Sequence, residues 1–160
     1  MWANDPLSGK GAKKFGRFNK SGCSALYTSL DPTTAWMEAQ QGFPFKPQPM
    51  TLVVYDVVCK DIVDLNDKAV LKSLGCLDQE LECPWEDMYT QNQIPPTWLL
   101  AERLLILNIA GVLVRSFAPG CTANNQNLVL WSWNETDSNT IRIIDDFGRF
   151  PKTTESWLGD

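Results

Sequence analysis

Hydrophobic and polar positions alternate most clearly over Thr51–Val58, where Val53, Tyr55 and Val57 share one face. A period of two over eight residues predicts the strongest strand of the chain. Shorter apolar runs predict further strands at Ala25–Ser29, Ile62–Leu65, Gly111–Val114, Asn127–Trp133 and Ile141–Asp145. Helical spacing takes over elsewhere. Asp31–Pro32 offers a capping carboxylate and a proline suited to the first helical position, so a helix is expected from there to about Gln41, stopped by Gly42 and Pro44. Asn66 is expected to cap a helix that Gly75 ends. Pro95–Pro96 precede an amphipathic helix over Thr97–Asn108 with Leu100, Leu104 and Leu107 as its stripe. Trp85 and Met88 suggest one helical turn in an otherwise irregular 76–96 segment. Residues 1–24, the Pro44–Pro49 loop and the tail from Gly148 through Pro151 and Trp157 read as irregular. Strands and helices mix without regular alternation, which predicts a single α+β domain over 1–160, with a mixed sheet core and flanking helices.

Composition narrows the function. The chain has 160 residues, 44% hydrophobic and 21% charged, in the range of a globular domain with a real core. A formal net charge of −5 argues against sequence-independent nucleic-acid binding, although Lys10, Lys13, Lys14, Arg17 and Lys20 make a local basic cluster. No apolar run approaches a membrane span, and Met1–Pro6 lacks the layout of a secretory signal, so a cytoplasmic location is expected. Five cysteines with no CxxC pair fit small buried hydrophobes in a reducing compartment. The chain contains no histidine. Without histidines or paired cysteines, no metal site is expected, and any chemistry runs without imidazole.

Six side chains could carry that chemistry, and each has a plainer reading. Arg17, in a glycine- and lysine-rich loop, suits phosphate or carboxylate, or else a surface ion pair. Glu38, among Ala35, Trp36 and Met37, is a carboxylate that could act as base or stabilise positive charge, or else an exposed helix glutamate. Tyr27 offers a ring and a hydroxyl, or else fills a core. Ser116 falls just past a buried strand, where ligand sites collect, and hydrogen bonding suits it better than nucleophilic attack. Asn127 opens a strand with an amide that donates and accepts. Arg115 adds a guanidinium beside Ser116. Asp145–Asp146 fits a solvated turn better than a cation site, and Gly9–Lys10–Gly11 lacks the full phosphate-loop pattern.

In order along the chain, Pro6–Ala12, Gly16–Arg17–Phe18–Asn19, Ala25–Ser29, Ala35–Trp36–Met37–Glu38, Val114–Ala118 and Asn127–Trp131 together resemble the RES domain. That family is named for an arginine, a glutamate and a serine, which fall here on Arg17, Glu38 and Ser116. Two positions depart from it: Phe15 stands where the family often has glycine, and Arg115 where it usually has proline. The resemblance implies an ADP-ribosyltransferase-like fold. It also implies a bacterial toxin that destroys NAD+ at the nicotinamide–ribose bond, by phosphorolysis or hydrolysis, and a cognate Xre-like antitoxin that covers the site. NAD+ would be the substrate and inorganic phosphate a co-substrate, with no bound cofactor. Arg17, Glu38 and Tyr27 would be catalytic, and Ser116, Asn127 and Arg115 would bind substrate. A protein ADP-ribosyltransferase on the same scaffold is the alternative, and a non-enzymatic partner of an antitoxin the third reading.

Overall fold

The computed structural model describes residues 6–7, 14–40 and 50–150. In chain order its elements are β1 (Leu26–Ser29), α1 (Pro32–Gln40), β2 (Tyr55–Cys59), β3 (Ile62–Asp64), α2 (Lys68–Ser73), α3 (Asp78–Leu81), α4 (Trp85–Thr90), α5 (Pro96–Ile106), β4 (Gly111–Arg115), β5 (Gln126–Leu130) and β6 (Asn139–Ile143). The strands form a mixed four-stranded sheet in the order β1-β5-β4-β3 and a two-stranded sheet of β2 and β6. Only β3 and β4 run parallel; the other pairs are antiparallel. The architecture is the expected α+β class with a mixed sheet.

Register decides which side chains meet. Tyr27 lies opposite Val129, and Asn127 lies between Ser29 and Val114. Alternation then puts Tyr27 and Ser29, Asn127 and Val129, and Val112 and Val114 on one face of the sheet. This face carries the larger core, in which Val112, Val114, Val129 and Trp131 pack with Phe18, Leu71, Leu81, Leu100 and Leu104. Each fully buried aliphatic chain there stabilises the fold by about 1.5–3 kcal/mol. Leu26, Leu128 and Leu130 turn to the other face and meet Ile141, with Tyr55 and Val57 of the small sheet. The polar ends of the strands on the first face therefore surround one spot, next to a fixed apolar floor.

Several expected boundaries shift for identifiable reasons. The alternation over Thr51–Val58 yields a strand only from Tyr55, because β6 supplies ladder partners for 55–59 alone; just outside it, Ile144 N–H donates to Val54 O at 2.9 Å. For the same reason the last strand runs 139–143 instead of 141–145. β5 stops at Leu130, not Trp133, because the N–H groups of Trp131 and Ser132 both turn to Ala110 O. Asp67, not Asn66, caps α2 through a 2.7 Å bond from Ala69 N–H. Gly75 does end that helix: at φ +61° it closes a pair of bonds from Gly75 N–H to Lys72 O and from Cys76 N–H to Leu71 O. α5 buries Leu100 and Leu104, but Leu107 lies past its end and is exposed. The helical turn expected at Trp85 and Met88 is α4, and the rest of that segment holds one further short helix, α3. The Gly9–Gly11 stretch, the Pro44–Pro49 loop and the tail from Pro151 lie outside the described residues.

Candidate active site

Asp31 begins the site by fixing α1. Its carboxylate accepts from Thr34 N–H at 2.9 Å and from the Thr34 hydroxyl, and Pro32 takes the first helical position. Asn125 Nδ2 donates to Thr34 Oγ1 at 2.8 Å, which ties the helix to the start of β5. One turn after Thr34 on the same helix face stands Glu38. Its Oε1 accepts from Ser116 Oγ at 2.6 Å and from Asn127 Nδ2 at 2.5 Å. Three residues read as separate candidates, from a helix and two different strands, thus meet at one carboxylate oxygen.

Each donor is itself held. Ser29 Oγ donates to Asn127 Oδ1 at 2.7 Å, so Asn127 must present its NH₂ to Glu38. Ser116 is only 4% exposed, and its Oγ also accepts from Ala118 N–H at 3.2 Å. The Ser116 hydroxyl thus directs its proton at the Glu38 carboxylate, in a chain without histidine.

Arg17 rides on a tight turn. Gly16 N–H and Asn19 O, and Asn19 N–H and Gly16 O, bond across it at 2.9 and 3.3 Å. Both flanks are pinned: Trp98 Nε1 donates to Gly16 O and Trp131 Nε1 to Phe18 O. Asn19, 2% exposed, donates its amide to Lys14 O and Cys23 O. Tyr27 braces the turn from below. Its hydroxyl accepts from Phe18 N–H at 2.9 Å and donates to Asn19 Oδ1 at 2.7 Å. A Cβ on Gly16 would sit 2.7 Å from that hydroxyl, so only glycine lets the turn approach. Tyr27 is 44% exposed as a residue, yet its oxygen is turned inward, and burial pushes its pKa well above the ordinary value. The hydroxyl is thus committed to the turn although the residue as a whole is partly exposed.

The Arg17 guanidinium donates through Nη1 to Leu81 O and Cys83 O, both at 2.8 Å, and lies 4.6 Å from the Phe117 ring centre. Burial pulls its pKa down, opposed by the neighbouring acidic groups of Cys83, Glu38, Tyr27 and Glu82; an arginine stays charged under such conditions. The Arg17 cation lies close enough to the Glu38 carboxylate for the two to influence each other electrostatically. Arg115 pairs with Glu82 and stands 3.7 Å from Asp78. Lys20, from the basic cluster, pairs with Glu102 on α5. Asp145 accepts from Arg149 and Phe150 N–H, which makes the Asp145–Asp146 segment a turn.

Sequence reasoning missed Ser29, Phe117 and the 78–83 segment. The only signal for the last was Asp78 and Glu82, four apart, at the spacing of one helix face. Among the described residues, no helix is long and apolar enough to cross a membrane. The model of the RES domain family matches residues 1–153, and the chain belongs to that family. RES domains are generally associated with toxin-like, NAD+-processing enzymes. No curated protein matches the chain in a sequence comparison.

Proposed function

We propose that this protein cleaves the bond between nicotinamide and ribose in NAD+, with phosphate or water as acceptor, and acts as a growth-arresting toxin neutralised by a cognate Xre-like antitoxin. The observation that carries this reading is the Glu38 carboxylate, held by Ser116 and Asn127 and electrostatically coupled to the Arg17 guanidinium. Arg17 supplies charge for the pyrophosphate. The ring of the partly exposed Tyr27 supports the nicotinamide ring.

The chemistry fits a site without imidazole. When the C1′–N bond breaks, its electron pair returns to the cationic pyridinium nitrogen, so nicotinamide leaves neutral and needs no proton. The positive charge left on the ribose resembles an oxocarbenium ion, which a nearby carboxylate stabilises. The acceptor oxygen then bonds C1′ and releases its proton to solvent. Two donors on one Glu38 oxygen keep the carboxylate in place through this charge change, so little reorganisation accompanies the step.

Product mass analysis tests the reading. Purified protein with NAD+ in phosphate buffer should give nicotinamide and phosphorylated ADP-ribose, or free ADP-ribose if water is the acceptor. Phosphate-free buffer separates the two. Transfer of labelled ADP-ribose to a protein band in cell extract, without free product, would replace cleavage by protein modification. Intact NAD+ under all conditions would refute the proposal.

A further inference from the structure

Arg115 and Ser116 leave the end of β4 as consecutive residues and serve different ends of the site. Ser116 reaches Glu38. Arg115 reaches α3, where its guanidinium bonds Glu82 and lies near Asp78. Asp78 opens α3 and Glu82 follows its last residue, and Arg115 reaches both. Between and just beyond them, Leu81 and Cys83 offer the two carbonyls that hold Arg17 Nη1. The Phe117 ring fills the gap: Arg17 lies 4.6 Å from its centre and Arg115 4.7 Å. Arg115, Glu82, the 81–83 backbone, Arg17 and Phe117 thus form a closed circuit around one ring.

We propose that Arg115 is a positioning residue that aims Arg17 by holding the Leu81–Cys83 turn through Glu82. Its charge is engaged by two carboxylates, which leaves it a poor anion grip. The pair is half-exposed, and exposed ion pairs contribute little to stability, so its effect is on geometry. Arginine suits the task because a planar guanidinium can stack on Phe117 while its edge bonds a carboxylate. The catalytic part of this inference rests on the proposed NAD+ cleavage; the structural part does not.

The test uses the ¹⁵N-labelled full chain and the Nε–H resonance of Arg17, identified by its loss in Arg17→Lys. Arg115→Met and Glu82→Gln should shift that resonance alike, and the exchanged pair Arg115→Glu/Glu82→Arg should bring it back toward wild type. With NAD+, both single variants should raise KM and lower kcat/KM by roughly tenfold, the scale of a misplaced binding group, and the exchanged pair should recover part of the loss. An Arg17 resonance unmoved in both single variants would overturn the proposal. So would loss of activity in Arg115→Met with full activity in Glu82→Gln, because Arg115 would then touch substrate directly. Should Arg115→Met fail to fold, Glu82→Gln at the exposed end of the pair carries the same test. The resonance arm needs no substrate, so wild-type protein that leaves NAD+ intact would refute the cleavage reading and not this one.

Discussion

Ser116 Oγ donates a 2.6 Å hydrogen bond to Glu38 Oε1, joining the end of β4 to α1 across 78 positions of sequence. The bond is short and charge-assisted, the kind that fixes a carboxylate. Ser116→Ala should leave the fold nearly intact, at a cost of about 1–3 kcal/mol for a lost bond to a charged group. It should lower NAD+ turnover by roughly 10- to 100-fold through a less fixed Glu38. Thermal melting beside steady-state kinetics checks both, and undiminished kcat would show that the orientation of Glu38 does not depend on Ser116.

Tyr27→Phe keeps the ring and removes the brace. The bonds from Phe18 N–H and to Asn19 Oδ1 are lost, which should cost about 1–3 kcal/mol. In a chain of this size each kcal/mol lowers Tm by roughly 2–4 °C. The pH dependence is specific. Folding raises the Tyr27 pKa above its ordinary 10.0, so above that pH the unfolded chain sheds a proton that the folded chain keeps. Stability from this group is complete below pH 10 and declines as pH rises beyond it. Denaturant titrations from pH 8 to 11 should show a steeper loss for wild type than for Tyr27→Phe; parallel curves would contradict the buried hydroxyl.

Gly16→Ala should disrupt the Arg17 turn, since the added methyl would lie 2.7 Å from the Tyr27 hydroxyl and 2.9 Å from Asn19 Oδ1. Overpacking of this kind costs about 1–3 kcal/mol. The double variant with Tyr27→Phe removes the closer of the two obstacles and should be less destabilised than the two single losses added together. Strict additivity in melting experiments would show that the two positions do not touch.

Phe15, where the RES family often has glycine, packs 4.3 Å from the Tyr89 ring and 6.0 Å from that of Trp85. Its role is therefore to fasten α4 to the approach of the Arg17 turn. Phe15→Gly should lose roughly 1–3 kcal/mol, from aromatic contacts and glycine entropy together. It should leave kcat for NAD+ within about twofold. A large fall in kcat with an unchanged melting temperature would instead place the ring at the substrate.

Much of this was legible in the chain itself. Asp31–Pro32 announced α1 because cap and first-turn preferences are local physics. Gly111–Val114 announced a buried strand and so placed Ser116 at its end. The convergence of Glu38, Ser116 and Asn127 was legible only through the order of motifs, since spacing says nothing about contacts between residues 78 to 89 apart. The Thr51–Val54 stretch misled because alternation signals a pleated face and not a partner to pair with. The ion pairs of Arg115 were not legible, because proximity in sequence to Ser116 does not fix direction: the guanidinium follows Asp78 on α3 and Glu82 just past its end, and that helix is too short to show periodicity. The commitment of the Tyr27 hydroxyl was not legible, because it bonds a turn whose shape no local propensity specifies.

The central claim is that the Glu38 carboxylate stabilises the charge that develops on ribose. Glu38→Gln keeps size and shape and removes the negative charge. Nicotinamide release from NAD+, followed for wild type and Glu38→Gln at equal melting temperature, measures that charge directly. The account predicts a fall in kcat of at least about 100-fold, the scale of one preorganised electrostatic group. Full turnover by a folded Glu38→Gln protein would contradict it.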